Sequence, residues 1–200
     1  MRNVSRILVI VGCLLSAASV SSANSIVNGS FESPTVWNVG PGWALFTSIP
    51  GWAATADFIE IGAAGLYGVT GYDGKQVLEL DANNNAVVGQ IVLTADTSYT
   101  LSFLYAARAG VNVNSVKFEV YWNNVLVQAF APTLTAMTLY STTVTALASN
   151  TLEFRGTGTN DSLGAIIDNV GLNNVPDAGS TATLLGLGIL GLGYLRRHLQ

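Results

Sequence analysis

The stretch Tyr99-Thr100-Leu101-Ser102-Phe103-Leu104-Tyr105 sets the terms for the rest of the chain. Its large residues recur at every second position, so an extended strand puts Tyr99, Leu101, Phe103 and Tyr105 on one face and Thr100 and Ser102 on the other. A helix would scatter the same side chains around its axis. Residues 116–122 repeat the pattern, with Val116, Phe118, Val120 and Trp122 opposite Lys117, Glu119 and Tyr121. Asn123-Asn124 follows. Asparagine tolerates the left-handed backbone of a tight hairpin, so the chain reverses there into Val125-Leu126-Val127. Leu152 and Phe154 alternate with Glu153 and Arg155, and residues 166–172 read as a closing strand.

Less regular apolar runs at 25–31, 43–46, 58–61, 76–80 and 87–93 add further strands, separated by Gly, Asn, Asp and Pro. About eight to ten strands without a helical stretch between them predict an all-β fold, an antiparallel two-sheet jelly-roll sandwich. No internal duplication is visible, so residues 24–174 form one domain.

Both ends carry address segments. Arg2 and Arg6 precede an apolar run at 7–15, and Ser21-Ser22-Ala23 supplies small residues for cleavage, so residues 1–23 read as a secretory signal peptide. Ile10-Val11-Gly12-Cys13 also has the form of a lipoprotein box. The apolar run continues through Leu14 and Leu15, however, which makes Cys13 part of the leader. Cys13 is the one cysteine, so the exported body must hold without disulfides. At the other end, residues 182–195 are apolar and glycine-laced, and Arg196-Arg197 stops them. As a helix this segment reaches about 21 Å, short of the roughly 30 Å of a hydrocarbon core. That suits a transient hold, with the arginines on the cytoplasmic side and the body outside.

Composition removes several classes of chemistry. The single histidine, His198, lies in the tail, so the body lacks the imidazole of a Ser-His-Asp triad or a His-rich zinc site. All twelve acids of the chain fall in the body or just after it, against only Lys75, Arg108, Lys117 and Arg155 as bases. No basic cluster exists to follow a phosphate backbone, which excludes nucleic acid as a partner. Glycoside hydrolysis needs two carboxyl groups about 5–9 Å apart, and Glu60, Glu79, Asp81, Glu119, Glu153, Asp161 and Asp168 supply the raw material only.

Two binding sites are candidates. The body opens with Val27-Asn28-Gly29-Ser30-Phe31-Glu32 and closes with Ile167-Asp168-Asn169-Val170. Strands entering and leaving a sandwich often lie side by side, which would bring Glu32 and Asp168 together. Two confined carboxylates repel unless a cation or proton intervenes, and calcium takes such oxygens. The alternative is that Asn28-Gly29 is a turn and Asp168 caps a strand end. The second site is aromatic. Tyr67 and Tyr72 stand in the glycine-dense stretch 65–74, next to Asp73, and Trp52 follows Ile49-Pro50-Gly51. Such rings stack on sugar faces while an acid accepts hydroxyls. Trp52 and Trp43 suit the core equally well.

The motifs VNGSFESP (27–34), IPGW (49–52), GKQVLELD (74–81), Gln90, YTLSFLYAAR (99–108) and IIDNVGL (166–172) resemble the galactose-binding-like jelly-roll domains of the DUF642 type. The resemblance implies one structural calcium ion, held partly by Glu32 and Asp168. The tail, with Val175, Pro176, Asp177 and Gly179 ahead of the apolar segment and Arg196-Arg197, resembles a PEP-CTERM-type sorting signal of the VPDSG variant. That implies export across the inner membrane and transient insertion. An exosortase-like transpeptidase would then process the chain near Pro176-Asp177 and deliver it to the cell surface or matrix. The expected function is a non-catalytic surface or extracellular-matrix protein that binds carbohydrate. The alternatives are a purely structural matrix protein and, third, a polysaccharide-cleaving enzyme.

Overall fold

The computed structural model describes residues 25–93 and 98–175. The leader expected over 1–23 and the sorting segment from Pro176 onward, including Asp177, Gly179, Arg196 and Arg197, lie outside the described residues. Among those described, twelve strands, numbered in chain order, form two six-stranded antiparallel sheets. The first sheet runs β1 (Trp43–Phe46), β4 (Ile59–Ala63), β5 (Gln76–Glu79), β12 (Ile166–Asn174), β7 (Ser98–Ala106), β10 (Thr138–Thr145). The second runs β2 (Ser48–Ile49), β3 (Trp52–Ala56), β6 (Val87–Leu93), β11 (Ser149–Gly156), β8 (Phe118–Trp122), β9 (Val125–Phe130). The chain switches repeatedly from one sheet to the other, and the two inner faces pack together as an all-β jelly-roll sandwich.

The alternation in the sequence places the core. Leu101 and Phe103 on β7, Phe118 and Val120 on β8, and Leu152 and Phe154 on β11 are fully buried. Phe103 is the centre of an aromatic cluster. Its ring lies 5.1 Å from that of Phe154 in an edge-on approach, 5.2 Å from Tyr140 and 5.7 Å from Phe130. Phe118 and Phe130 stack at 4.6 Å. Edge-on and offset contacts of this kind add to the burial of each ring. At the β8–β9 hairpin, Asn123 and Asn124 take φ of 51° and 60°, the left-handed pair that a two-residue turn requires.

Three elements differ from expectation. Residues 25–31 do not join a sheet as a regular strand. β3, with sequence WAATA, and β10 carry too few large apolar residues to stand out; on β10 only Val144 is buried. β10 is an edge strand, so its outer positions need no apolar residue. Replacing Phe103 with Ala should lower the unfolding free energy by about 3–5 kcal/mol in chemical denaturation. Leu139→Ala, at a side chain 66% exposed on the neighbouring β10, should change it by no more than about 0.5 kcal/mol.

Candidate functional site

The arm at 25–37 lacks a regular strand partner, so its backbone needs other donors and acceptors. Ser25 donates its N–H to the Leu172 carbonyl at 3.1 Å, and Val170 donates to Gly29 at 2.8 Å, which lays the arm beside β12. A Cβ on Gly29 would sit 2.0 Å from the Val170 oxygen, so only glycine permits this approach. Two buried glutamines complete the attachment. The Gln90 amide both donates to and accepts from the backbone of Val27, at 3.0 and 2.9 Å. Gln76 donates to the carbonyls of Phe31 and Pro34 and accepts from the N–H groups of Val36 and Trp37.

This arm brings Glu32 to the turn that carries Asp168's partner. Glu32 Oε1 accepts from the backbone N–H of Lys75 and Gln76, at 2.7 and 2.8 Å. Asp168 Oδ2 accepts from the N–H of Asp73, and its Oδ1 from Asn169, both at 2.7 Å. A register shift in β12 between Asp168 and Gly171, with Asn169 at φ 46°, aims Asp168 into this place. Gly74 at φ 67° keeps the turn close, since a Cβ there would strike Glu32 Oε1 at 2.3 Å. Burial pushes the Asp168 carboxyl up to about 7 despite its hydrogen bonds, and the charges of Asp73 and Glu32 push the same way. The two acids thus grip one turn from either side, through backbone N–H groups. Among the described residues no three acids come together as metal ligands.

The aromatic candidates separate. Tyr67, in the 3-10 turn Ala64–Tyr67, is 3% exposed, covers Gly62, and donates its hydroxyl to Glu60 at 2.9 Å. Trp52 is 2% exposed, packs between Phe31 and Phe154, and donates its indole N–H to the Asn28 carbonyl. Neither shows a ring face to a ligand, which corrects the expectation that they stack on sugar. Tyr72 is exposed, and Asp73 contributes its backbone to the clasp. Trp43, which suited the core by sequence, is instead exposed on the edge strand β1.

Beneath Tyr67, Glu60 and Glu79 stand directly opposite each other on β4 and β5. Glu79 is fully buried; burial and the neighbouring Glu60 charge push its carboxyl up to about 7. Its oxygens accept from the N–H of Asp81 and Gly164, with Arg108 at 3.7 Å. Burial also raises Glu60. Glu79 is thus enclosed, while Glu60 is half-buried with the Tyr67 hydroxyl on its Oε1.

An open site lies on the outer face of the second sheet. A trough of about 530 Å³ runs over β3, β6 and β11, within the size range of small-ligand sites. Register sets Ala53 opposite Gly89 and Gly89 opposite Glu153, so its floor is low at Ala53 and Gly89, with the Glu153 side chain leaning over the glycine, its Cγ 3.1 Å from the point a Cβ there would occupy. Ile91, 73% exposed, and Thr151 form one wall, and Thr55 stands at β3. Of the residues singled out in the sequence as ligand-binding, only Trp52 lines this trough, and the rest of the site went unread. The available signal was a strand rich in alanine facing a strand interrupted by glycine, which marks close approach of a backbone or ligand.

Comparison with known proteins gives three findings. Residues 174–199 match the VPDSG-CTERM motif, the sorting signal of exported, surface-associated proteins. A multifunctional-autoprocessing repeats-in-toxin protein of Vibrio cholerae is 36% identical over 157 residues, covering 76% of this chain, and that of Vibrio vulnificus is 35% identical over 159 residues, covering 78%. The chain spans about 3% of the length of these relatives. Among solved structures, the CBM22-1 xylan-binding domain of Paenibacillus barcinonensis superposes with a TM-score of 0.46 at 15% identity, covering 78% of this chain and 97% of that one. TmCBM61 in complex with β-1,4-galactotriose gives 0.46 at 14% identity, covering 77% and 100%.

The two raised carboxyls have a consequence for stability. Asp168 and Glu79 titrate near 7 in the folded chain and about 4 when unfolded, so between those values the folded state binds more protons. Their contribution is complete below about pH 4 and is lost as pH rises through about 7. The melting temperature should therefore fall between about pH 4 and pH 7 and level off above, and the fall should be shallower in Asp168→Asn, as read by calorimetry across that range.

Proposed function

We propose that this chain is a non-catalytic domain, delivered to the cell surface or matrix, that holds a polysaccharide in the trough on its second sheet. The observation that carries the reading is the floor at Ala53 and Gly89, low and open, bordered by the Glu153 side chain and walled by Ile91 and Thr151. Such a strip accepts the flat CH face of a sugar ring, and the threonines and Glu153 accept or donate at its hydroxyls. The toxin relatives support a modular reading, since a stretch of this length recurs within a far longer chain. Kinship with DUF642-type domains belongs to the same proposal. Against hydrolysis stand the full burial of Glu79 and the Tyr67 hydroxyl bound to Glu60.

Delivery follows from the motif at 174–199, with an exosortase-like transpeptidase as the partner that reads it in the inner membrane. Deleting residues 182–200 should leave the protein unprocessed and absent from the cell surface in its producing organism, as read by immunoblotting of cell fractions. Processing that continues unchanged would remove this role.

The reading includes a Glu32–Asp168 clasp that closes without an ion. Calcium asks for about six to eight oxygens, whereas these two carboxylates are met by four backbone N–H groups. A chelator that lowers the melting temperature would instead establish a bound calcium ion. The trough is tested by Ala53→Trp, which fills it from an exposed position. Binding to a panel of soluble polysaccharides should weaken at least about tenfold while the melting temperature stays within about 2 °C of the native value. Native-like binding by the filled variant would place any ligand elsewhere.

A further inference from the structure

We infer that the trough takes an uncharged, hydroxyl-rich sugar chain, and that Glu153 is the residue that reads it. The inference rests on the polysaccharide reading above. Among the described residues that line the trough, Glu153 is the one charged side chain. Its Oε2 is held by Arg155, through Nε at 3.2 Å and through Nη2. Its stem leans over the floor, with Cγ 3.1 Å and Oε1 3.8 Å from the point a Cβ on Gly89 would occupy.

Arg155 is itself fixed. Its guanidinium lies 3.8 Å from the centre of the Tyr121 ring, and Nη2 also donates to Asn124 Oδ1 at 3.2 Å. Tyr121 in turn donates its hydroxyl to Glu119 at 2.7 Å. The row Glu119, Tyr121, Arg155, Glu153 therefore sets the carboxylate's direction before a ligand arrives, and Arg155 is a positioning residue.

An ionised carboxylate accepts hydrogen bonds and donates none, so its ligand must present donors, which hydroxyl groups do. An acidic sugar would set its own carboxylate, which also accepts and cannot donate, against Glu153 Oε1, so two acceptors would face each other with no proton between them. Arg108, past the end of β7, is held at Glu79, and Lys75, ahead of β5, lies over the Trp37 ring; Lys117, ahead of β8, is not among the residues that line the trough. An aminosugar cation finds little attraction, because Arg155 already neutralises the carboxylate.

The test measures binding of the full-length protein to soluble neutral glucans, xylans, mannans and galactans, to polygalacturonate and to chitosan, each at about 50 and 500 mM NaCl. At least one neutral polymer should bind, with an affinity that changes less than about twofold between the two salt concentrations. Glu153→Gln, which keeps the shape and loses the charge, should weaken that binding about five- to tenfold with an unchanged melting temperature. Ala53→Trp should abolish it. Binding confined to polygalacturonate or chitosan and fading with salt would overturn the inference while leaving the polysaccharide reading intact. Native affinity in Glu153→Gln would overturn the role of Glu153. Failure to bind any of these polymers would remove both readings together.

Discussion

An arm of backbone without a regular strand partner lies across the end of the sandwich, and its hydrogen-bonding groups must be satisfied by side chains reaching out of the sheets. Gln76 and Gln90 do this from one sheet each, and both are almost wholly buried. A buried amide earns its place only when donor and acceptor are both used, and these two are. The arm they hold carries Phe31, fully buried against Trp52, so the polar attachment is also what closes the apolar core at this end. With no cysteine in the body, there is no covalent staple to substitute for it.

The acids divide by surroundings into two kinds. Asp168 and Glu79 lie in places that disfavour charge, and their hydrogen bonds with backbone N–H groups offset part of that cost. They act as anchors: one holds the turn at 73–76, the other holds Asp81 and Gly164 and so the loop leading into β12. Glu153 differs. It stands on an outer face, with one oxygen held by Arg155 and its stem and other oxygen lying over Gly89. The same functional group serves packing in one place and recognition in the other, and solvent access decides which.

The large features were legible because alternation on β7, β8 and β11 is strict, and the residues it assigned inward are those found buried. The approach of Glu32 and Asp168 was legible for a topological reason, since the first segment and the last strand lie side by side. Tyr67 was not, because its burial depends on the short turn after β4 folding back over Gly62 in the strand just left, whereas a glycine-dense stretch reads as an exposed loop. The trough was hidden for a related reason. It is made by residues that are small, and a sequence reading weighted toward large apolar or charged side chains passes over them.

β12 ends at Asn174, and Val175 still donates its N–H to Ser98, yet the sorting motif begins at 174. The recognition sequence therefore starts inside the folded sheet, with no spacer between them. On the processing proposed above, an enzyme cutting near Pro176 would have to dock against the finished sandwich, at a strand whose neighbours, β5 and β7, pair only when residues distant in the chain have come together. Proximity of this kind would couple release to completion of the fold.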